Sequence, residues 1–434
     1  MPLPATAHPP SDRRTPPVAA TPQALANAAP PGQGATLLHA SDDVATAHTD
    51  LVAGSVVQLS CGATTRSVEL VDDIRSGHKF AVRDLAAGLR IRKYGEFIGR
   101  VTTDVAAGAS VHVQNLETGA RRARGDAVAW CEQSDAPGVR PLGSPRATVG
   151  ESPVYDAESN CLYWVDVRGT PAIHRIDIDS GDERSWPMDE DIGSIALASR
   201  GTLIAGLRSG FAFFDPASGA LSPIVNPEAD LPANRLNDGK CDAAGRFWCG
   251  SMNPDSGRAE GSLYVLDGNL DCRRVLADFL TPNGLAWSPD GRTMYAADTR
   301  RGYIHAFDFD VAAGTLGQRR VFADLGALAG GPDGAAVDCE GHLWSAIWEG
   351  GCLIRFDPRG RMDRVIRLPV SKPTSCAFGG PGYRRLFVTT ATRGLEADRL
   401  RNEPMAGRVL QIDVGVAGLA PARFDHRSGA GTPR

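Results

Sequence analysis

A repeat of 40–50 residues across the larger part of the chain constrains its fold more than any other feature. Each copy begins at a turn and continues as a short strand, a glycine-centred turn, an apolar strand and a strand that ends at Asp. Strand–turn–strand units at this period predict a β-propeller, because one blade cannot bury both faces of its sheet alone. We therefore predict an all-β chain with a six-bladed β-propeller over residues 145–424. The copies begin near Glu151, Gly193, Asn237, Asn283, Asp333 and Pro373.

A shorter pattern, Asp-x-x-x-Gly, precedes the propeller and occurs at Asp50–Gly54, Asp73–Gly77, Asp84–Gly88 and Asp104–Gly108. Each copy is followed by a short apolar or alternating segment. An Asp that hydrogen-bonds its own backbone and a Gly at positive φ make a tight turn into a strand. The pattern predicts a small, β-clip-like β domain over residues 36–121, with aspartates that cap turns.

The remaining segments are predicted to be tails and a linker. The first 31 residues hold nine prolines and no apolar core of a signal peptide, so residues 1–35 are expected to be disordered, as are 425–434. Residues 122–144 are charged and are interrupted by Gly and Pro, which is typical of a linker.

Composition excludes several classes of partner. Lys and Arg number 46 against 51 Asp and Glu, so no basic excess is available for a nucleic acid. No apolar run approaches the roughly 18–20 residues that span a bilayer, so no membrane partner is expected. Nine cysteines without a C-x-x-C pair indicate reduced thiols, and we expect a cytoplasmic protein.

Polar residues open four of the innermost propeller strands: Glu151, Asn237, Asn283 and Asp333. Equivalent positions of a propeller point the same way, so these side chains should converge at one end of the axis. Carboxylate and amide oxygens form a hard ligand set that suits Ca²⁺, Mg²⁺ or Mn²⁺, and Zn²⁺ also fits a catalytic site with open positions. We therefore predict one divalent metal ion, of undetermined identity.

The alternative is that Asp333 only makes a turn, since Pro-Asp-Gly is an ordinary turn tripeptide. Pro289-Asp290-Gly291 has the same letters as Pro332-Asp333-Gly334 but falls between two strands of one repeat. Asp333 lies at a strand opening with polar partners in register, which favours a functional role for Asp333 but not for Asp290.

Residues 148–424 resemble the senescence-marker-protein, gluconolactonase and luciferin-regenerating-enzyme family. The resemblance spans all six repeats and rests on five segments: Gly150-Glu-Ser-Pro-Val-Tyr, Asn234-Arg-Leu-Asn-Asp-Gly-Lys-Cys-Asp242, Asn283-Gly-Leu-Ala-Trp-Ser, Pro332-Asp-Gly and Leu368-Pro-Val-Ser-Lys-Pro-Thr-Ser-Cys-Ala-Phe-Gly-Gly380.

The resemblance implies roles for individual residues. Glu151, Asn283 and Asp333 would be the metal ligands, and Asp333 would also be the catalytic proton acceptor and donor. Arg235 and Asn237 would bind substrate. Asp255 is a weaker substrate-contact candidate, because its segment departs from the family pattern.

The activity implied is a metal-dependent lactonase that opens aldonolactones, such as gluconolactone or arabinonolactone, to aldonic acids. The ion would polarise the lactone carbonyl and activate water, whose proton Asp333 would accept and pass to the ring oxygen. Two alternatives stay open: another metal-dependent ester hydrolase on the same propeller, and a non-enzymatic protein that binds a metal or a sugar acid.

Residues 37–117 resemble the SAF-type domain of altronate and galactarate dehydratases, through segments such as Lys93-Tyr-Gly-Glu-Phe-Ile-Gly-Arg100. This resemblance implies a sugar-acid setting and association with enzymes of sugar-acid pathways, without dehydratase activity. His48, His78 and His112 are the candidate polar contacts of this domain, with ordinary surface or core histidines as the alternative.

Overall fold

The chain divides into two compact units, Met1–Arg121 and Arg122–Arg434. The predicted tails lie outside the described residues over 1–33 and 427–434, and so do residues 122–133 of the predicted linker and His112. The computed structural model describes residues 34–37, 41–61, 64–75, 78–93, 96–111, 115–117, 134–135, 138–326, 328 and 330–426.

The first unit consists of short strands in three small sheets, as far as the structure describes it. Several of its apolar side chains, such as Phe80 and Ile91, are fully buried despite the shortness of the strands. The strands are Ala35–Thr36, Val44–Ala47, Val56–Cys61, Thr64–Glu69, Lys79–Ala81, Arg90–Lys93, Glu96–Val101, Ser110–Val111 and Leu116–Glu117.

Three of the four predicted turns of this unit are capped by the aspartate of another turn. Gly54, Gly88 and Gly108 have positive φ, as predicted. Three of the aspartates, however, bond another turn rather than their own: the Asp73 carboxylate accepts from Ala53 N at 2.8 Å, that of Asp104 from Ala87 N at 2.7 Å, and that of Asp84 from Ala107 N at 2.9 Å. The turns therefore work in pairs that are far apart in sequence, which a five-residue pattern cannot reveal.

Six sheets make up the described part of the second unit, and we number them 1–6 in the chain order of their innermost strands. In each of sheets 1–5, the innermost strand and the three strands that follow it in the chain lie side by side in chain order, from the inside of the sheet outwards. Sheet 1 contains Gly150–Asp156, Cys161–Asp166, Ala172–Asp177 and Glu183–Pro187; sheet 2 contains Ile192–Leu197, Leu203–Leu207, Gly210–Asp215 and Ala220–Val225; sheet 3 contains Arg235–Cys241, Phe247–Met252, Gly261–Leu266 and Cys272–Phe279; sheet 4 contains Pro282–Trp287, Thr293–Asp298, Tyr303–Asp310 and Thr315–Asp324; sheet 5 contains Gly331–Val337, Leu343–Trp348, Cys352–Phe356 and Met362–Arg367; sheet 6 contains Pro373–Gly379, Arg385–Thr390 and Val409–Asp413.

Two short strands before sheet 1 complete the outer edges of the last two sheets. Arg140–Leu142 pairs antiparallel with Val409–Asp413 of sheet 6, and Ser134–Asp135 pairs parallel with Met362–Arg367 of sheet 5. Both strands lie within the predicted linker, so its C-terminal part belongs to the sheets. Strands of two or three residues carry too little hydrophobic alternation to be recognised from sequence.

The innermost strands lie in cyclic order. Each contacts the innermost strand of the next sheet, and that of sheet 6 contacts that of sheet 1. Every residue of Gly331–Val337 is buried, whereas most of the outermost strand Thr315–Asp324 is exposed. Burial on both faces explains why the residues of Gly331–Val337 are small and, apart from Asp333, apolar, without alternation. The arrangement is consistent with a β-propeller.

Helical structure is scarce in the described residues. It comprises the α-helix Ala397–Asn402 and the 3₁₀ turns Ser199–Gly201 and Pro381–Tyr383. Among these residues, no helix has the length and apolar character needed to cross a membrane.

In sheets 3 and 5, an aspartate just after the innermost strand hydrogen-bonds both the following turn and the next strand of the same sheet. In sheet 5 the fully buried Asp338 accepts from the backbone N–H groups of Glu340 and His342, both at 3.0 Å. Its second oxygen accepts from Trp344 Nε1 at 2.9 Å and Arg355 Nε at 2.8 Å. One buried carboxylate thus satisfies four donors.

We expect Asp338→Ala to lower the free energy of unfolding by about 2–5 kcal/mol, because the Trp344 indole and the Arg355 guanidinium lose a buried partner. Urea unfolding monitored by circular dichroism measures this change. The control is Asp290→Ala in an exposed turn, for which a loss below about 1 kcal/mol is expected. Equal losses in the two variants would contradict the assignment.

Candidate active site

A β-bulge interrupts the start of every innermost strand in the described part of the six sheets. Glu151 and Asn283 are the last paired residues before their bulges, whereas Asn237 and Asp333 are the first residues inside theirs. A bulge bends the strand and redirects its side chains. The predicted site residues therefore occupy neighbouring rather than identical positions of the repeat, all at the same end of the inner strands.

Hydrogen bonds connect three of these residues across sheets 3 and 4. Arg235 Nη1 donates to Asn237 Oδ1 at 2.7 Å, and Asn237 Nδ2 donates to Asn283 Oδ1 at 2.7 Å. Asn283 Nδ2 donates in turn to Thr299 Oγ1 at 2.8 Å. These bonds fix the orientation of both amides. The Asn283 oxygen has two lone pairs, so one remains for a ligand.

Two carboxylates complete the predicted set. Asp333 is 6% exposed, and its Oδ1 atom is buried without a hydrogen-bond partner. Glu151 is partly buried and accepts from Ser152 N at 3.0 Å. Ser152 adopts a φ of 50° and its hydroxyl accepts from Ile195 N at 2.9 Å, so sheet 2 helps to hold this segment.

The surroundings of the site strongly disfavour the ionised forms of its acidic groups. Burial raises the pKa of Glu151 to about 8, and the nearby negative charge of Asp238 adds to this effect. Burial, followed by the charges of Glu151 and Asp238, raises the pKa of Asp333 well above its usual value. Burial also lowers the pKa of the Arg235 guanidinium to about 10.

The donor set fits a divalent cation. Glu151, Asn283 and Asp333 offer only oxygen atoms, as Ca²⁺ and Mg²⁺ prefer. The unpartnered Asp333 oxygen and the raised carboxylate pKa values indicate that the positive charges of Arg235 and Lys240 do not offset the burial of the carboxylates. A cation beside these groups would favour their ionised forms.

Sequence reasoning missed two charged residues of this region, Asp238 and Lys240. Asp238 is 6% exposed and accepts from Leu285 N at 3.0 Å, in the bulge that follows Asn283. Lys240 Nζ donates to Ala335 O at 2.5 Å and so reaches from sheet 3 to sheet 5. Both lie in the Asn-Asp-Gly-Lys segment, but only the close approach of three strands gives them partners.

Two glycines allow the ligand-bearing bulges to pack closely. A Cβ atom on Gly334, which follows Asp333, would lie 2.0 Å from Ser375 Oγ. Gly284, which follows Asn283, has a φ of +62°, and a Cβ there would lie 2.8 Å from Asp333 O. The contact between neighbouring inner strands thus requires glycine at both Gly334 and Gly284.

The sequence's two Pro-Asp-Gly tripeptides differ in the structure. Asp290 is exposed in the turn between two strands of sheet 4, and its carboxylate bonds Ser288 Oγ and Arg292 N. Asp255 is 76% exposed and lies 3.5 Å from Arg168 Nη1. Among these aspartates, only Asp333 lies in the buried acidic region.

Other candidate groups lie elsewhere. Asp338, Glu340 and His342 could place ligand atoms within 4.8 Å of one another, but Asp338 and Glu340 are paired with Arg355. In the first unit, His48 is exposed and His78 is partly buried.

The fold and site define an all-β, propeller-like protein with an oxygen-lined acidic centre. A family model for the SMP-30/Gluconolactonase/LRE-like region matches residues 149–392, and one for the altronate/galactarate dehydratase SAF domain matches residues 34–119. The first match spans more than half of the chain, and the chain belongs to the SMP-30/gluconolactonase/LRE-like family. Both resemblances stated from the sequence are confirmed.

Similar proteins include enzymes and a calcium-binding protein. Regucalcin from Gallus gallus is 36% identical over 290 residues, covering 65% of this chain and 97% of the relative. L-arabinolactonase from Azospirillum brasilense is 38% identical over 297 residues, covering 68% and 96%. A solved structure of regucalcin from Agrobacterium tumefaciens, described as a calcium-binding protein, gives a TM-score of 0.65 at 28% identity and covers 68% of this chain and 99% of that chain.

We expect the metal-free protein to lose stability as the pH rises from about 4.5 to about 8. Over this range the Glu151 carboxyl is ionised in the unfolded chain but protonated in the folded protein, so folding takes up a proton. Urea unfolding in the presence of a chelator, at intervals across this range, measures the slope.

Glu151→Gln should have a shallower slope, because it removes one of the groups with a raised pKa. Saturating divalent ion should flatten the wild-type slope as well, since it favours the ionised carboxylates. Identical slopes for wild type and variant in chelator would contradict the assignment.

Proposed function

We propose that this protein opens aldonolactones to aldonic acids with the help of one divalent ion, on a six-bladed propeller formed by sheets 1–6. The chain is a lactonase-type hydrolase. The observation that carries the proposal is the buried, unpartnered carboxylate oxygen of Asp333, electrostatically coupled to Glu151 and placed in the bulge of sheet 5.

Glu151, Asn283 and Asp333 would hold the ion. When bound, a divalent ion polarises a carbonyl as a Lewis acid and supports the ionisation of water. Calcium is favoured by the oxygen-only set and by the description of the Agrobacterium relative, while Mg²⁺, Mn²⁺ and Zn²⁺ remain to be compared.

The residues around this centre would move the proton and orient the substrate. Asp333 accepts a proton from the attacking water at Oδ1 and delivers it to the ring oxygen as the ester bond breaks. The Arg235 guanidinium stabilises negative charge that develops on the carbonyl oxygen. Asn237 Nδ2 donates to Pro282 O and Asn283 Oδ1, and Asn237 Oδ1 accepts from Arg235, so the second lone pair of Oδ1 accepts from a substrate hydroxyl.

The first unit is proposed to be an SAF-type, β-clip domain that associates with enzymes of sugar-acid metabolism. It holds a polar cavity of about 410 Å³ and exposes two large apolar side chains, Val52 at 66% and Val71 at 57%. A sugar-acid dehydratase mixed with the full chain should co-elute in gel filtration. Val52→Ser combined with Val71→Ser should abolish that association if these side chains form the contact.

The function is tested by acid release from a panel of five- and six-membered aldonolactones, above spontaneous hydrolysis. We expect turnover to stop in chelator and to return with one of Ca²⁺, Mg²⁺, Mn²⁺ or Zn²⁺. Asp333→Asn should lower kcat/KM by about 10²- to 10⁴-fold, because it removes the proton acceptor and weakens metal binding.

The matched control is Asp290→Asn, which changes the same tripeptide in an exposed turn and should leave kcat/KM within about twofold of wild type. Metal binding measured by calorimetry separates loss of the ion from loss of the base. No turnover on any lactone, with tight metal binding retained, would favour a metal- or sugar-acid-binding protein.

A further inference from the structure

Three arginines converge on one carboxylate beside the acidic centre. Asp191 Oδ2 lies 3.2 Å from Arg168 Nε, 3.0 Å from Arg208 Nη2 and 3.9 Å from Arg235 Nε. We call these three side chains the arginine cluster. One carboxylate oxygen cannot neutralise three guanidiniums, so the cluster retains positive charge.

Outside the acidic centre, whose Glu151 charge acts on Arg235, the surroundings do little to remove this excess charge. Asp255, the second acid in contact with the cluster, is 76% exposed and lies 3.5 Å from Arg168. Glu190, the neighbour of Asp191, accepts instead from Ser209 N at 2.6 Å and from the Ser209 hydroxyl. Solvent screens the Asp255 charge, so its pairing is weak.

Arg235 provides an independent indication of an anion-binding site. Its side chain is 7% exposed, and its Nε atom is buried without a hydrogen-bond partner. A buried guanidinium N–H that lacks an acceptor is costly, and an anionic oxygen would satisfy it. Arg168 and Arg208 are 25% and 35% exposed, so a ligand from solvent can reach them.

The cluster is continuous with the site of the proposed function. Arg235 Nη1 bonds Asn237, which bonds the candidate metal ligand Asn283. Asp191 directly precedes the innermost strand of sheet 2, Arg208 follows that strand's partner, and Arg168 follows the partner of the strand that bears Glu151. The cluster therefore lies at the end of the sheets where the bulges are.

We propose that the preferred substrates are sugar lactones that carry a second, free carboxylate, as in the monolactones of aldaric acids, and that Arg168 and Arg208 bind this carboxylate. The inference rests on the proposed lactonase function and names its substrate class. Guanidiniums bind carboxylates in planar, two-pronged pairs, so the cluster suits this group better than a neutral hydroxymethyl group. Hydrolysis itself is unchanged: water adds to the carbonyl, the ring C–O bond breaks, and the product is a dicarboxylate.

The test compares two six-carbon lactones that differ only at the terminal carbon, which is a hydroxymethyl group in one and a carboxylate in the other. Wild type should have the higher kcat/KM on the carboxylate lactone. Arg168→Met and Arg208→Met should each lower the ratio of the two kcat/KM values by about 10- to 100-fold, mainly through KM, because each removes a charge-assisted contact.

Arg184→Met is the matched control. Arg184 is exposed on the outermost strand of sheet 1, over the Trp186 ring, and its replacement changes the net charge equally. We expect this variant to keep the wild-type ratio. Raised salt should increase KM for the carboxylate lactone more than for the neutral one.

Calorimetry with the open-chain dicarboxylate separates failure of this inference from failure of the lactonase function. Binding of the dicarboxylate that weakens in Arg168→Met supports the cluster even if neither lactone is hydrolysed. Turnover that favours the neutral lactone, or equal losses on both lactones in the arginine variants, would overturn the inference. Absence of dicarboxylate binding would overturn it as well.

Discussion

The close approach of the innermost strands is the constraint on which the rest of the second unit depends. Six strands can meet in cyclic order only where side chains are small, as at Gly334, whose Cβ would collide with Ser375. The same crowding buries both faces of each inner strand and leaves a bulge at each strand's start. The bulges in turn direct polar side chains towards one another at the same end of the inner strands. One packing requirement therefore creates both the core and the site.

Burial then gives the polar residues their chemistry. Glu151, Asp238 and Asp333 lie in a region where ionised carboxylates are poorly solvated, and their pKa values rise for that reason. Poorly solvated carboxylates bind a cation well, because the cation offsets the free energy of burying their negative charge. The arginine cluster is the opposite case, because three guanidiniums surround the single carboxylate of Asp191.

Asp333 shows what could be predicted about the site from the sequence alone. Its tripeptide is identical to the one at Asp290, yet the repeat alone assigned one to a strand opening and the other to a turn, and the structure places them so. The same reasoning failed for Asp238, because its partner Leu285 is 47 residues away on another sheet. It also failed for Arg140–Leu142, whose pairing with Val409–Asp413 closes a sheet from opposite ends of the unit.

By itself, the sequence determined the period of the strands, the family and the positions of Glu151, Asn237, Asn283 and Asp333, because these depend on local spacing and turn chemistry. Only the tertiary structure decided which charges face one another. The convergence of Arg168, Arg208 and Arg235 on Asp191 joins three sheets, and no periodicity encodes it. Electrostatic environment depends on distances through space, and folding alone sets those distances.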